Sequence, residues 1–255
     1  MDRPLFSYAF DGVKLPSRAA VLDIGCQSAG GLLWVRDNYP HCGQLTGIDR
    51  NDACFESPEA LSRQAISLLV MDASKPFDFD DNSFDLVLHK DTLECFADIP
   101  AIVSEMHRVL KPGGTVICIN CDWESIIVNG SNKALINKAV SGYANFRQEN
   151  WMDAHDGWIG RRIWGHFNKG KLFDGYVKLY AHIETDFDEQ NIGWHYIHEM
   201  KRYQDPAPFL TSEEHAELVS DIKATYESGE YLFVWPAFIY VGRKRSLSYH
   251  NLYRE

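Results

Sequence analysis

The chain has too few basic residues for a typical nucleic-acid-binding protein. Its 255 residues include 25 Lys and Arg against 36 Asp and Glu, which gives a formal net charge of −11 at pH 7. Binding to a phosphate backbone needs a basic surface, so we expect no nucleic-acid partner. An acidic excess by itself indicates solubility and identifies no substrate.

Long apolar runs are also missing. No stretch approaches the roughly 18 consecutive apolar residues that a membrane-spanning helix needs, and residues 1–16 lack the apolar segment of a secretory signal. The six cysteines, at positions 26, 42, 54, 95, 118 and 121, are expected to be free thiols in a reducing cytosol. We therefore predict a cytoplasmic protein without a membrane partner.

The sequence gives little reason to expect a metal site. Cys118 and Cys121 form a Cys-x-x-Cys pattern, but residues three apart in a strand point to opposite faces of the sheet. His195 and His198 lie one helical turn apart, yet no third ligand accompanies them. We predict no metal.

Short apolar runs alternate with helix-like stretches over residues 1–120. The predicted strands are residues 20–25, 44–49, 67–72, 84–89 and 115–120, and the predicted helices are residues 30–39 and 99–110. Apolar residues recur with a helical period in the second helix, and Lys111-Pro112-Gly113-Gly114 ends it. Such alternation indicates a parallel sheet covered by helices on both faces.

The second half of the chain has a different character. Residues 121–174 are polar, aromatic and helical in pattern, and residues 176–186 and 231–242 resemble strands. Residues 194–204 and 212–227 resemble helices, and Thr211-Ser212-Glu213-Glu214 predicts a capping box at the start of the second. No internal repeat or low-complexity linker is evident. We predict one domain over residues 1–255, with a cofactor-binding half (1–120), an inserted helical cap (about 121–174) and C-terminal strands and helices (about 175–255).

Two kinds of signal predict a ligand site at the carboxyl end of the sheet. The turn Asp23–Gly31 brings backbone N–H groups close to a ligand at the start of a helix. Asp49 ends the second strand. Its separation from Asp23 along the chain is near the ~20 residues at which an acid accepts hydrogen bonds from ribose hydroxyls in dinucleotide-binding folds. Asp72 follows the third strand, where a carboxylate accepts from an adenine amino group. Each acid alone is also explained as a helix N-cap.

In these strands and turns the sequence resembles the class I methyltransferases, in particular small-molecule enzymes related to ubiquinone-biosynthesis C-methyltransferases. The motifs that carry the resemblance are Val21-Leu22-Asp23-Ile24-Gly25-Cys26, Gly47-Ile48-Asp49, Met71-Asp72-Ala73, Phe84-Asp85-Leu86-Val87-Leu88 and Val109-Leu110-Lys111-Pro112-Gly113-Gly114. The resemblance implies a Rossmann-like α/β fold with a seven-stranded, mostly parallel sheet and an antiparallel last strand. It also implies S-adenosylmethionine as cofactor, with S-adenosylhomocysteine as product.

The resemblance further implies a role for each matching position. Asp23 would orient the methionine amino group, Asp49 would hold the ribose, and Asp72 with the Ala73 N–H would contact adenine. The remaining residues implied to bind the cofactor are Gly25, Cys26, Gln27, Arg50 and His89, with His89 at the methionine end. Gln27 and Ala29 stand where the family has glycines, so the path of the loop is in question. Gln27 also argues against a nicotinamide cofactor. In the Gly-x-Gly-x-x-Gly motif of dehydrogenases the second glycine lets the pyrophosphate approach, and Gln27 stands at that position.

Methyl transfer to oxygen or an acidic carbon needs a base, and histidine suits that role near neutral pH. His155 and His195, both in the second half, are the predicted bases. Gly160-Arg161-Arg162 resembles a helix of bacterial relatives, and we expect an arginine there to fix the cap or an acidic acceptor group, or to form a surface ion pair.

We predict a small-molecule acceptor methylated on O, N or C, with a homodimer as an option. The alternatives are a methyltransferase fold that binds the cofactor for a decarboxylation or rearrangement, and a cofactor-binding partner subunit.

Overall fold

The computed structural model describes residues 2–52, 58–147, 152–200 and 209–245. Its strands are β1 Val21–Ile24, β2 Leu45–Asp49, β3 Ile66–Val70, β4 Phe84–Lys90, β5 Leu110–Cys121, β6 Ile127–Val128, β7 Phe173–Glu184 and β8 Phe233–Lys244. Its helices are α1 Asp2–Ala9, α2 Gly30–Asn38, α3 Pro58–Ser62, α4 Ile99–Val109, α5 Lys133–Ala144, α6 Ile159–Asn168, α7 Ile192–Glu199 and α8 Ser212–Glu227. None of the helices in these ranges is long and apolar enough to cross a membrane.

The strands form one sheet with β1 near its centre. β3, β2, β1, β4 and β5 are neighbours in that order and pair in parallel, and β8 pairs antiparallel with β5. β7 pairs with β8 along its whole length, so β5 and the two-residue β6 share the other edge of β8. The predicted fold class, including the reversed last strand, is confirmed, and β6 is an addition to it.

Side chains alternate between the two faces of the central strands and feed two apolar layers. Leu22 and Val87 pack with α4 and α6 on one face. Val21 and Leu86 pack with α1, α2, α5, α7 and α8 on the other face. The alternation follows from the pleat of a strand, and it confirms that helices cover both faces.

Helix termini follow local sequence signals. The Asp98 carboxylate accepts a hydrogen bond from the Ala101 N–H and begins α4. Thr211 and Glu214 form the predicted capping box of α8, in which the Thr211 hydroxyl accepts from the Glu214 N–H and the Glu214 carboxylate accepts from the Thr211 N–H.

Two segments differ from the sequence prediction. The helix predicted over residues 194–204 begins at Ile192, and residues 201–208 lie outside the described residues. α6, at the end of the predicted cap segment, packs on the sheet: its Phe167 ring stacks on Tyr240 with ring centroids 4.3 Å apart. The division of the chain into a cofactor half, a cap and a C-terminal part stays a prediction.

Candidate functional site

A cleft of about 440 Å³ opens at the carboxyl ends of β1, β2, β3 and β4. Ligands of open α/β sheets bind at this edge. The residues that line the cleft are Gly25, Gln27, Ile48, Asp49, Arg50, Asn51, Met71, Ala73, Asp91, Thr92, Cys95 and Phe96. The structure thus brings together five of the predicted cofactor residues, which are Gly25, Gln27, Asp49, Arg50 and Ala73.

The loop after β1 follows a path that favours glycine at alternate positions. Gly25, Gln27 and Ala29 have φ angles of 70°, 45° and 65°, in the left-handed region. A Cβ atom at Gly25 would overlap the Thr92 side chain, so only glycine fits there. Gln27 and Ala29 adopt these angles at a conformational cost. The two departures from the motif therefore lie at positions where this backbone favours glycine.

Asp49 is fixed by two backbone donors. Its Oδ2 accepts from the Gln27 N–H at 3.0 Å, and its Oδ1 accepts from the Asn51 N–H at 3.2 Å. A carboxylate has about four acceptor positions, so Asp49 keeps capacity for ligand hydroxyls. The sequence places this acid at the end of β2, and the structure orients it toward the cleft.

Asp72 lies between two lining residues, Met71 and Ala73, and is held by strong donors. Its Oδ1 accepts from the Ser74 N–H at 3.0 Å, the Ser74 hydroxyl at 2.7 Å and Arg50 Nη2 at 3.0 Å. Burial raises the pKa of Asp72, but the hydrogen bonds from Ser74 and Arg50 outweigh it and hold that pKa well below its usual range. Asp72 is therefore ionised at neutral pH.

Three predicted cofactor residues are not on the wall of the cleft. Asp23 is almost fully buried, and burial raises its pKa to about 8, against the attraction of Lys90 and together with the repulsion of Asp49. The side chain of Cys26 packs against Gly47 of β2. His89 is fully buried, neither ring nitrogen has a side-chain partner among the described residues, and burial lowers its pKa to about 4.

The wall after β4 contains acids that the sequence reasoning missed. Asp91 lines the cleft with φ 47°, its Oδ1 accepts from the Cys121 N–H at 2.8 Å, and its Oδ2 pairs with Lys90 Nζ at 3.1 Å. Glu94, also buried, accepts from Asn120 Nδ2 at 2.7 Å. Burial, with the charge of Asp91, raises the pKa of Glu94. The sequence signal that could have identified both acids is their position directly after a predicted strand whose carboxyl end lies at the ligand-binding edge of the sheet.

The two predicted bases lie in different surroundings. The N–H groups of Asp153 and Ala154 both donate to the carbonyl of Cys95 at 3.0 Å, so His155 belongs to a segment that rests on the cleft wall. Both His155 ring nitrogens are buried without a side-chain partner among the described residues, and burial lowers the pKa of His155 against a contribution from the Ala144 backbone. His195 is exposed on α7, and its ring meets Trp194 edge-on. The structure does not bring His195 to the cleft.

The arginines of α6 make ion pairs within the chain. Arg161 Nε donates to Asp122 Oδ2 at 2.9 Å, and the Asp122 side chain has no exposed surface. Arg162 Nη1 donates to Asp156 Oδ2 at 2.7 Å. Both arginines therefore form ion pairs that fix neighbouring segments of the chain, which was one of the roles expected from the sequence.

Part of the chain is similar to known methyltransferases. Residues 22–118 match the family model described as "Methyltransferase domain". A demethylmenaquinone methyltransferase of Staphylococcus epidermidis is 37% identical over 100 residues, which cover 38% of this chain and 41% of that protein. The chain therefore spans about two fifths of the length of this curated relative.

Solved structures with the same fold extend over nearly all of the chain. The YcgJ protein of Bacillus subtilis aligns with a TM-score of 0.61 and 15% identity, covering 96% of this chain and 98% of that one. Phosphoethanolamine N-methyltransferase 2 of Haemonchus contortus, in complex with phosphomonomethylethanolamine and S-adenosylhomocysteine, aligns with a TM-score of 0.53 and 19% identity, covering 96% of this chain and 53% of that one. These likenesses show a shared fold.

Proposed function

Because residues 22–118 form a methyltransferase domain of the Rossmann-like class I, we propose that this chain binds S-adenosylmethionine and transfers its methyl group to a small-molecule acceptor. The observation that carries the proposal is the juxtaposition of Asp49 and the left-handed loop at Gly25 on one cleft, with Asp72 between two of its lining residues. The names of the relatives support a small molecule as acceptor.

The residues of the cleft fit the cofactor by their chemistry. The missing Cβ of Gly25 makes room for the Thr92 side chain beside the loop, and Gly25 itself lines the cleft. Asp49, held by two N–H donors, has acceptor capacity for ribose hydroxyls. Asp72 and Ala73 would contact adenine, and the apolar side chains of Ile48 and Phe96 would cover its ring. Asp23, Cys26 and His89 stay predictions as cofactor ligands.

The cofactor supplies a methyl group already activated on a sulfonium, so the chain contributes alignment, exclusion of water and proton removal. We propose His155 as the base because its segment rests on Cys95 and its ring nitrogens make no side-chain hydrogen bond within the described residues. Its lowered pKa keeps the imidazole neutral at pH 7, which is the form that accepts a proton. His195 is the second proposed base, and its exposure gives it less support.

A cytoplasmic location and a homodimer are also proposals. The five described cysteines, among them Cys95 and Cys118, carry no disulfide, which supports a reducing compartment. The outer edge of β7 has no partner strand within the described ranges, and one face of β7 presents Val177, Leu179, Ala181 and Ile183 as exposed apolar residues. Two copies packed against each other through this face of β7 would bury these side chains. We expect a dimer in sedimentation equilibrium and a monomer for Leu179→Lys.

The test is transfer of a labelled methyl group from S-adenosylmethionine to a panel of small phenols, amines and quinols. Labelled product that depends on the acceptor supports a methyltransferase. Cofactor that binds but is never consumed, with any panel member, favours the alternatives of a decarboxylation, a rearrangement or a partner subunit.

A further inference from the structure

Arg50 joins two carboxylates that are distant in the chain. Its Nη1 donates to Asp153 Oδ1 at 3.1 Å and its Nη2 to Asp153 Oδ2 at 2.8 Å, a bidentate pair. Nη2 also donates to Asp72 Oδ1 at 3.0 Å. The guanidinium therefore connects the acid at the end of β3 with the segment between α5 and α6.

Asp153 in turn joins two walls of the cleft. Its N–H donates to the carbonyl of Cys95 after β4, while its carboxylate binds Arg50 after β2, and both of these residues line the cleft. The neighbouring Asp156 N–H donates to the Glu94 carbonyl at 3.2 Å. Residues 153–156, which include His155, are thus held by backbone bonds to the wall after β4 and by Arg50 at the Asp153 carboxylate. Arg147 Nη1 also donates to the Asp153 carbonyl at 3.2 Å, and Arg162 pairs with Asp156.

We propose that Arg50 is a positioning residue, which holds residues 153–156 across the cleft by bridging Asp72 and Asp153 and so couples the cofactor end of the site to its acceptor side. The inference rests on the proposed function, since it assigns Asp72 to the cofactor. Arg50 orients the Asp72 carboxylate from one oxygen and leaves the other oxygen toward Lys75, at 3.5 Å. Because the bridge holds Asp72, it should slow the release of the bound cofactor product. Because it holds Asp153, it should also fix the position of His155.

The first test is amide hydrogen exchange on the ligand-free chain. Asp153→Asn keeps the size of the side chain and removes its charge. We expect the amides of residues 153 and 154 to exchange about tenfold faster in Asp153→Asn and in Arg50→Gln. The effect of Arg50→Lys should be intermediate, because an ammonium keeps the positive charge but cannot bind both carboxylates with a planar fork. Exchange equal to that of the wild type in both variants would overturn the proposal.

The second test is the release rate of S-adenosylhomocysteine, measured by stopped flow. Asp153→Asn should release it about five- to tenfold faster, and salt, which we expect to accelerate release from the wild type, should have no effect on this variant. Arg3→Gln, which removes an exposed ion pair with Asp37 and makes no change in residues 153–156, is the control and should release it at the wild-type rate. A wild type that binds no S-adenosylhomocysteine would refute the proposed function, whereas the exchange experiment would still decide on Arg50.

Discussion

Polar groups on the two walls of the cleft differ in burial and in charge. After β2 and β3, Arg50 and Asp72 reach solvent, with 38% and 29% of their side-chain surface exposed, and both are ionised. Behind the opposite wall, His89 of β4 and Glu94 after it are buried, and burial moves their pKa values toward the uncharged form. The first wall is suited to binding a ligand by fixed charges, and the second to groups that gain or lose a proton.

Substitution of Gly25 should have the largest effect, because it affects the loop between the two walls. In Gly25→Val the new side chain meets Thr92 and also requires a left-handed backbone. We expect a loss of about 4 kcal/mol in the free energy of unfolding and loss of cofactor binding. Urea denaturation measures the first and calorimetry the second.

Gly229→Ala is the control for Gly25. Gly229 has φ 80°, but a Cβ atom there meets no atom within 4 Å. The expected cost is therefore the backbone strain alone, about 1–2 kcal/mol. An equal cost at both sites would contradict the proposed close packing of the loop against Thr92.

His89 should make the stability of the chain depend on pH. Its pKa is about 4 in the folded chain against 6.5 for an ordinary histidine, so the unfolded chain binds more protons between these values. The free energy of unfolding should fall by up to about 3 kcal/mol as pH drops from 6.5 to 4. His89→Leu should remove this part of the pH dependence, while His41→Leu, at an exposed site, should retain it. Identical slopes in all three proteins would show that His89 is not the source.

The two predicted bases can be separated by activity. With an acceptor found in the screen, His155→Ala should lower kcat by about 100-fold at an unchanged affinity for S-adenosylhomocysteine. His195→Ala should change kcat by less than about twofold, since surface substitutions away from a site have small effects. The reverse ranking would move the proton acceptor to α7.

Relief of strain in the loop should give the smallest effect. Gln27→Gly removes a side chain from a left-handed position and should raise the free energy of unfolding by about 1 kcal/mol. Ser28→Gly, at a neighbour without a positive φ, should instead lower it by about 0.5–1 kcal/mol. Destabilisation by Gln27→Gly would show that the Gln27 side chain makes a stabilising contact.

The sequence predicted what depends on neighbours along the chain. The apolar period of α4, the capping box at Thr211 and the acids that end strands are local patterns, and the structure confirms the elements they predict. Burial and long-range pairing are not local. The Arg50–Asp153 contact joins residues 103 positions apart, and the buried state of His89 depends on how the whole sheet packs. For the same reason Asp91 and Glu94 were missed and His155 could not be ranked above His195.

The most direct test of the account is calorimetric titration of the purified chain with S-adenosylhomocysteine, repeated on Asp49→Ala. We predict micromolar binding by the wild type and none by Asp49→Ala, because Asp49 offers the acceptor for ribose hydroxyls. Asp37→Ala, which removes an exposed carboxylate paired with Arg3, should bind like the wild type. Absence of binding by a folded wild type, or unchanged binding by Asp49→Ala, would contradict the assignment of the cleft.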